Sequence, residues 1–180
     1  MEKEKSVLVA IDFQEAQLRI MPPEVGRILI RNIKVLIAFA RQLRIPILAT
    51  EQYPKGLGRT VDEVREEFGE ITPIEKVSFS CCGVSAFRER LEELKRSQII
   101  LTGIEAHICV LQTAIDLIQK DYEVHMVADA VGSRRKLDWE TGLKWMEKKG
   151  AMISTTEIIA FQLLKEAGTE DFKKLSKFLK

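Results

Sequence analysis

The run from Leu101 to Ala114, LTGIEAHICVLQTA, passes from an apolar segment through a glycine turn into a helical pattern, with Cys109 near the first helical turn. A helix start offers unpaired N–H groups and the positive end of a dipole. Both favour a thiolate, the form in which cysteine is a nucleophile. To attack a carbonyl near neutral pH, a thiol also needs a base for its proton and a cation to balance charge. Two residues have the right types: Asp12, closing a short apolar run, and Lys76, within a short extended segment. Burial at a strand end is expected to raise the pKa of Asp12. Taken singly, Cys109 reads as a buried apolar cysteine, Asp12 as a turn or helix-cap residue, and Lys76 as a solvated lysine. Only together do they suggest a site.

The elements that must position these residues follow from hydrophobic periodicity. Ser6 to Ile11 is a continuous apolar run, the pattern of a strand buried on both faces. Similar short runs occur at Ile45 to Thr50, around Lys76, at Ser97 to Thr102, Glu123 to Ala128 and Ala151 to Ser154. Between them lie helical patterns, the clearest at Val25 to Leu43, where apolar residues recur at intervals of three and four. Gln14, Gln17 and Arg19 are read as loop, as is Glu51 to Thr60. Strands alternating with helices predict an α/β fold of three layers, α/β/α, around a mostly parallel, about six-stranded Rossmann-like sheet. Ligands of such sheets lie beyond the carboxyl ends of the strands, where Asp12, Lys76, Cys109 and Asp129 all fall.

A chain of 180 residues without linker or repeat is expected to form one domain, residues 1–180. A net charge of +1 gives no electrostatic footprint for nucleic acid or an anionic membrane surface. No apolar stretch reaches the length of a membrane span, and the charged N-terminus lacks a signal-peptide core. Three cysteines in no framework spacing suit a reducing cytoplasm.

With these residues in place, the chain resembles the isochorismatase-like cysteine hydrolases over its whole length. The resemblance rests on Asp12 to Gln14, Lys76 to Phe79 and Gly103 to Val110, with further likeness to the isochorismatase-domain-containing subgroup at Thr50 to Gly58 and Val127 to Arg134. It implies an isochorismatase-like fold, a catalytic triad of Asp12, Lys76 and Cys109, a cis peptide at Ile104–Glu105, and an oxyanion hole formed by the N–H groups of Glu105 and Cys109. It also implies a homo-oligomer, with loop 51–60 and the last helix as candidate contacts. Two departures bear on substrate. The loop that carries metal-binding histidines in the family's nicotinamidases reads here Glu51, Gln52, Tyr53, Pro54, so no metal or other cofactor is expected. Position 106 is Ala where many relatives have Thr.

Gln14, Gln52, Tyr53 and Phe79 are candidates to line a substrate pocket. His107 precedes the cysteine but is not expected to be the base. Cys81 and Cys82 read as structural or exposed, since adjacent cysteines rarely meet bridging geometry. The expected activity is metal-independent hydrolysis of a small amide through a Cys109 acyl-enzyme. The competing readings are an inactive scaffold that binds proteins, and a redox sensor pairing Cys109 with Cys81 or Cys82.

Overall fold

The structure, a computed structural model, describes residues 1–179. In chain order its elements are β1 (Ser6–Ile11), α1 (Glu15–Arg19), α2 (Pro23–Gln42), β2 (Ile47–Gln52), α3 (Pro54–Leu57), α4 (Asp62–Phe68), β3 (Ile74–Lys76), α5 (Ser85–Glu93), β4 (Gln98–Ile104), α6 (Leu111–Ile118), β5 (Glu123–Gly132), α7 (Lys136–Lys148), β6 (Met152–Ser154), α8 (Thr156–Leu164) and α9 (Glu170–Leu175). Short 3-10 turns occupy Cys81–Gly83 and Ser176–Leu179, and Ala106–Val110 is a π-helical turn leading into α6.

The six strands form one sheet in the order β3-β2-β1-β4-β5-β6, with every pairing parallel. Successive side chains of a strand point to opposite faces, and β1 divides accordingly. Leu8 and Ala10 join a core with α2, α4, α8 and α9. Val7, Val9 and Ile11 join a second core with α5, α6 and α7. This double burial explains why β1 reads as an unbroken apolar run. The strand order reverses between β1 and β4, the switch point at which the loops after the two strands part and leave a crevice.

Gly103 makes the close approach at that point possible. Its φ is +132°, and a Cβ there would lie 2.2 Å from the Ile11 carbonyl oxygen. No side chain fits, so β4 runs directly against the strand end that presents Asp12.

Four segments differ from the sequence reading. Glu15–Arg19 and Pro54–Leu57 are short helices rather than loop. Five and four residues are too few to display a helical period. β5 continues beyond Ala128 to Gly132, because its register against β4 shifts between Leu101 and Gly103 and pairing resumes at Val131. The last helix gives way to a 3-10 turn. Its Leu175 is buried and Phe172 packs on the same core, so these two cover the chain's own interior, while Phe178 in the 3-10 turn is exposed.

Candidate active site

Asp12 follows β1 with φ of 53°, a left-handed conformation that Asp tolerates better than most residues. Its N–H donates to the Thr50 carbonyl at 3.1 Å and its own carbonyl accepts from Gln14 N–H at 2.8 Å, which fixes the turn. The side chain is fully buried. Thr50 Oγ1 donates to Oδ1 at 2.7 Å, and Lys76 Nζ donates to Oδ2 at 2.7 Å.

Lys76 ends β3, opposite Gln52 of β2. Its ammonium also donates to Gln52 Oε1 at 2.7 Å, to the Phe79 carbonyl at 3.1 Å and to that of Ser78 at 3.4 Å. Removing one partner of such a desolvated pair would strand the other charge. Burial, the largest single influence, pulls the Lys76 pKa down, but Asp12 together with the neighbouring Cys81 and Cys109 outweighs it and the net shift is upward, so the group stays an ammonium. Burial drives the Asp12 pKa up, and Lys76 and Thr50 offset that only in part.

Cys109 sits in the π-helical turn, 4 % exposed. Burial, then the neighbouring Asp12 carboxylate, push its thiol up to about 12, while Lys76 pulls the other way. The helix start therefore does not yield a resting thiolate, contrary to the expectation from sequence. Desolvation and an adjacent anion outweigh a helix-end dipole whose usual effect is about 0.3–1 kcal/mol. The peptide between Ile104 and Glu105 is cis. The Glu105 carbonyl accepts from Ile108 and Val110 N–H at 3.0 and 3.3 Å. Its carboxylate accepts from the Arg134 N–H at 3.1 Å and lies 3.5 Å from the Arg134 guanidinium.

A cavity of about 190 Å³ opens on Cys109, walled by Gln17 of α1, Ile20 just past its end, Gln52, Phe79, Glu105 and Arg134, among others. Of the residues expected to line a pocket, Gln52 and Phe79 do so. Gln14 does not: it is fully buried, donates to the carbonyls of Gln52 and Gly58 at 3.0 and 2.6 Å, and accepts from Gln52 N–H at 2.7 Å. It fixes the strand that carries Gln52. Tyr53 does not either. It is 54 % exposed and lines a separate hollow with Lys55 and Val84, which Lys76 also touches. Asp129 stands apart, its carboxylate accepting from the N–H and hydroxyl of Thr156 at the start of α8. His107 pairs with the Ser133 hydroxyl at 2.9 Å. Of four larger hollows, those of about 300, 690 and 440 Å³ are lined by none of Asp12, Lys76 or Cys109, and the one of about 620 Å³ touches Lys76 but neither Asp12 nor Cys109.

Thr50, Gln17 and Arg134 escaped the sequence reading as site residues, and so did Cys81. Cys81 is completely buried, 3.8 Å from Thr50 Oγ1. Its N–H donates at 3.0 Å to Thr113 Oγ1, which in turn donates to the Cys109 carbonyl at 2.7 Å. Among the described residues, no group of three or more His, Cys, Asp or Glu side chains is placed to hold a metal ion. Nor, among them, is any helix long and apolar enough to cross a membrane.

A parallel sheet between two helical layers, with Asp12, Lys76 and Cys109 gathered at its switch point, defines an α/β/α protein with a candidate nucleophilic site. Residues 6–158 match the isochorismatase domain family. "Isochorismatase family protein 1A" of Dictyostelium discoideum is 41 % identical over 79 % of this chain and 71 % of its own length. "Isochorismatase domain-containing protein 2A" of Mus musculus is 37 % identical over 98 % of this chain and 84 % of its own. A Caenorhabditis elegans structure described as MAR1 ribonuclease superposes with a TM-score of 0.92 at 38 % identity, covering 99 % of this chain and 91 % of that one. The chain belongs to the isochorismatase family.

Proposed function

We propose that this protein is a metal-independent cysteine hydrolase of small amides, with Asp12 as base and acid, Cys109 as nucleophile and Lys76 as fixed countercharge. One observation carries the reading: the thiol of Cys109 faces a cavity on one side and an Asp12 carboxylate, paired with Lys76 at 2.7 Å, on the other. A thiol held at about 12 is not a standing nucleophile. It requires a base in contact, and Asp12 is that base. Asp12 takes the Sγ proton as sulfur bonds to the carbonyl carbon. The tetrahedral oxyanion is held by the N–H groups of Glu105 and Cys109, each worth about 2.7–4 kcal/mol at such a position. As the C–N bond breaks, Asp12 returns the proton to the departing amine, leaving a thioester. Water, deprotonated by Asp12, then releases the acid and restores the thiol. Lys76 keeps Asp12 ionised between steps.

The name ribonuclease belongs to the nematode relative. For this chain, a net charge of +1 and a cavity of about 190 Å³ favour a small substrate over nucleic acid. A reducing cytoplasm suits a mechanism that needs a free thiol, and all three cysteines are free. A homo-oligomer is best supported at the open sheet edge rather than at loop 51–60. There, among the described residues, β6 pairs only with β5, and Met152, Ile153, Ile158 and Phe161 are exposed. Phe161→Glu is expected to lower the sedimentation coefficient to that of a monomer, and an unchanged value refutes this interface.

The test of the activity is a panel of small aliphatic amides incubated with wild type and Cys109→Ala. Release of amine and a transient acyl mass on the Cys109 peptide, both missing from the variant, are expected. If amides are hydrolysed equally by Cys109→Ala, or if none is hydrolysed and none acylates Cys109, the reading fails.

A further inference from the structure

One wall of the cavity carries a polar side chain that the proposed hydrolysis does not use. Gln17 lies on α1, is 8 % exposed, and lines the same cavity as Cys109. Its carboxamide has no hydrogen-bond partner among the described residues. The neighbouring glutamines are different. Gln14 is held by backbone groups of Gln52 and Gly58. Gln52 donates to the Val77 carbonyl at 2.8 Å and accepts from Lys76. A buried amide with neither its donor nor its acceptor engaged is unfavourable, and each such group in a folded protein calls for a reason. No buried side-chain nitrogen or oxygen among the described residues is both sealed from solvent and unpaired, so the Gln17 amide opens onto the cavity.

The charges around that cavity say what the amide is for. Arg134 is the cation on the wall, and Glu105 already opposes it through a 3.5 Å contact to the guanidinium. Lys76 is likewise balanced by Asp12. The site holds no surplus positive charge for a substrate anion, while Ile20, Leu57, Phe79 and Ile108 make much of the rest apolar. What stands unmatched is one neutral N–H donor set and one C=O acceptor on a single side chain. The complement of a carboxamide is another amide-type group.

We propose that Gln17 is a specificity residue that binds a second, unreacting amide or ureido group of the substrate, so that the natural substrate is a short compound with two such groups, one cleaved at Cys109 and the other held by Gln17. This rests on the hydrolase reading above. The cavity volume of about 190 Å³ corresponds to about six waters at about 30 Å³ each, space for a short-chain diamide.

Succinamide, valeramide and succinamate share a reacting primary amide and differ at the far end: neutral amide, alkyl, or carboxylate. In wild type, kcat/KM for succinamide is expected to exceed that for valeramide by about 10–100-fold, since a site built to pair a polar group rejects the analogue that lacks it. Succinamate is expected to fall below succinamide. In Gln17→Leu the succinamide-to-valeramide ratio is expected to fall about tenfold toward unity, the value for one lost hydrogen-bonded group. The ratio is internal to each variant, so a general loss of activity or stability does not imitate it, and Gln17→Asn, which keeps both donor and acceptor, should restore part of it. Valeramide as good as succinamide in wild type, or a ratio unmoved by Gln17→Leu, overturns the assignment while hydrolysis stands. Succinamate as the best substrate overturns it in favour of an Arg134 anion site. No turnover of, and no Cys109 adduct from, any of the three refutes the hydrolase reading and this inference with it.

Discussion

Two thiols flank one buried ion pair, and they differ in what lies beyond them. Cys109 and Cys81 both feel the charges of Asp12 and Lys76, and burial lifts both to about 12. Cys109 opens on a cavity. Cys81 is sealed, with Thr50 between it and Asp12. Equal acidity with unequal access separates the two roles: a nucleophile here is defined by space for a carbonyl and by contact with a base, not by a depressed pKa. The largest expected contrast follows. Cys109→Ala should lose about 10⁴–10⁶-fold in kcat, the scale for removing a nucleophile that acts with its base as a unit. Cys81→Ala should stay within about threefold and cost about 1 kcal/mol in thermal melts, the common scale for a single core truncation. Comparable losses in kcat from the two would erase the distinction.

The ion pair the thiols share gives the next largest effect. Lys76→Met removes a cation with four acceptors and leaves Asp12 facing only neutral groups. Breaking such a buried pair costs about 3–5 kcal/mol. Without Lys76, burial should hold Asp12 protonated at neutral pH, so hydrolysis should fall about 10²–10⁴-fold, the usual contribution of a general base. Adding Asp12→Asn to Lys76→Met should recover stability but no activity. Recovery of neither in chemical denaturation and rate measurements would mean that the pair is not the unit described here.

Much of this arrangement was legible in the sequence, for reasons that also mark the limits. β1 announces itself because both its faces are buried, and Asp12 is the first polar residue past its end. The parallel order of elements places Lys76 and Cys109 at the same edge, and the resemblance joined them to Asp12. Gln17 stayed hidden because α1 has five residues and no period to read. Arg134 stayed hidden because the apolar run is read only as far as Ala128, whereas a register shift against β4 lets β5 continue to Gly132 and brings Arg134 to Glu105. Gln14 and Tyr53 are candidates to line the pocket in the sequence, and the structure puts neither on it. Which way Gln14 points is set by a tertiary hydrogen bond to Gly58, and residue type does not specify it. Cys81 looked peripheral because adjacency to Cys82 says nothing of depth.

The smallest expected effect tests the sealed side directly. Thr50 donates to Asp12 on the face toward Cys81, and that hydrogen bond holds the Asp12 pKa down against the larger effect of burial. The active form of Asp12 is the carboxylate, so activity falls as pH drops through its pKa, and because that value is raised the acid limb of kcat/KM should lie above the ordinary carboxylate range. Stability runs the other way. A carboxyl whose pKa is higher folded than unfolded binds its proton more readily in the native state, so its contribution is complete below the unfolded value and is lost as pH rises through the folded one. Activity should therefore rise over the same interval in which this contribution to stability declines. Thr50→Val keeps the shape and removes the donor. The acid limb should then move to higher pH, with kcat/KM on the alkaline plateau changed by less than about threefold and a stability cost of about 1.5–3 kcal/mol, the value of a hydrogen bond to a charged group. An acid limb that stays in place in Thr50→Val would mean that the sealed side contributes packing alone, and that the ionisation of Asp12 is governed wholly from the side of Lys76 and Cys109.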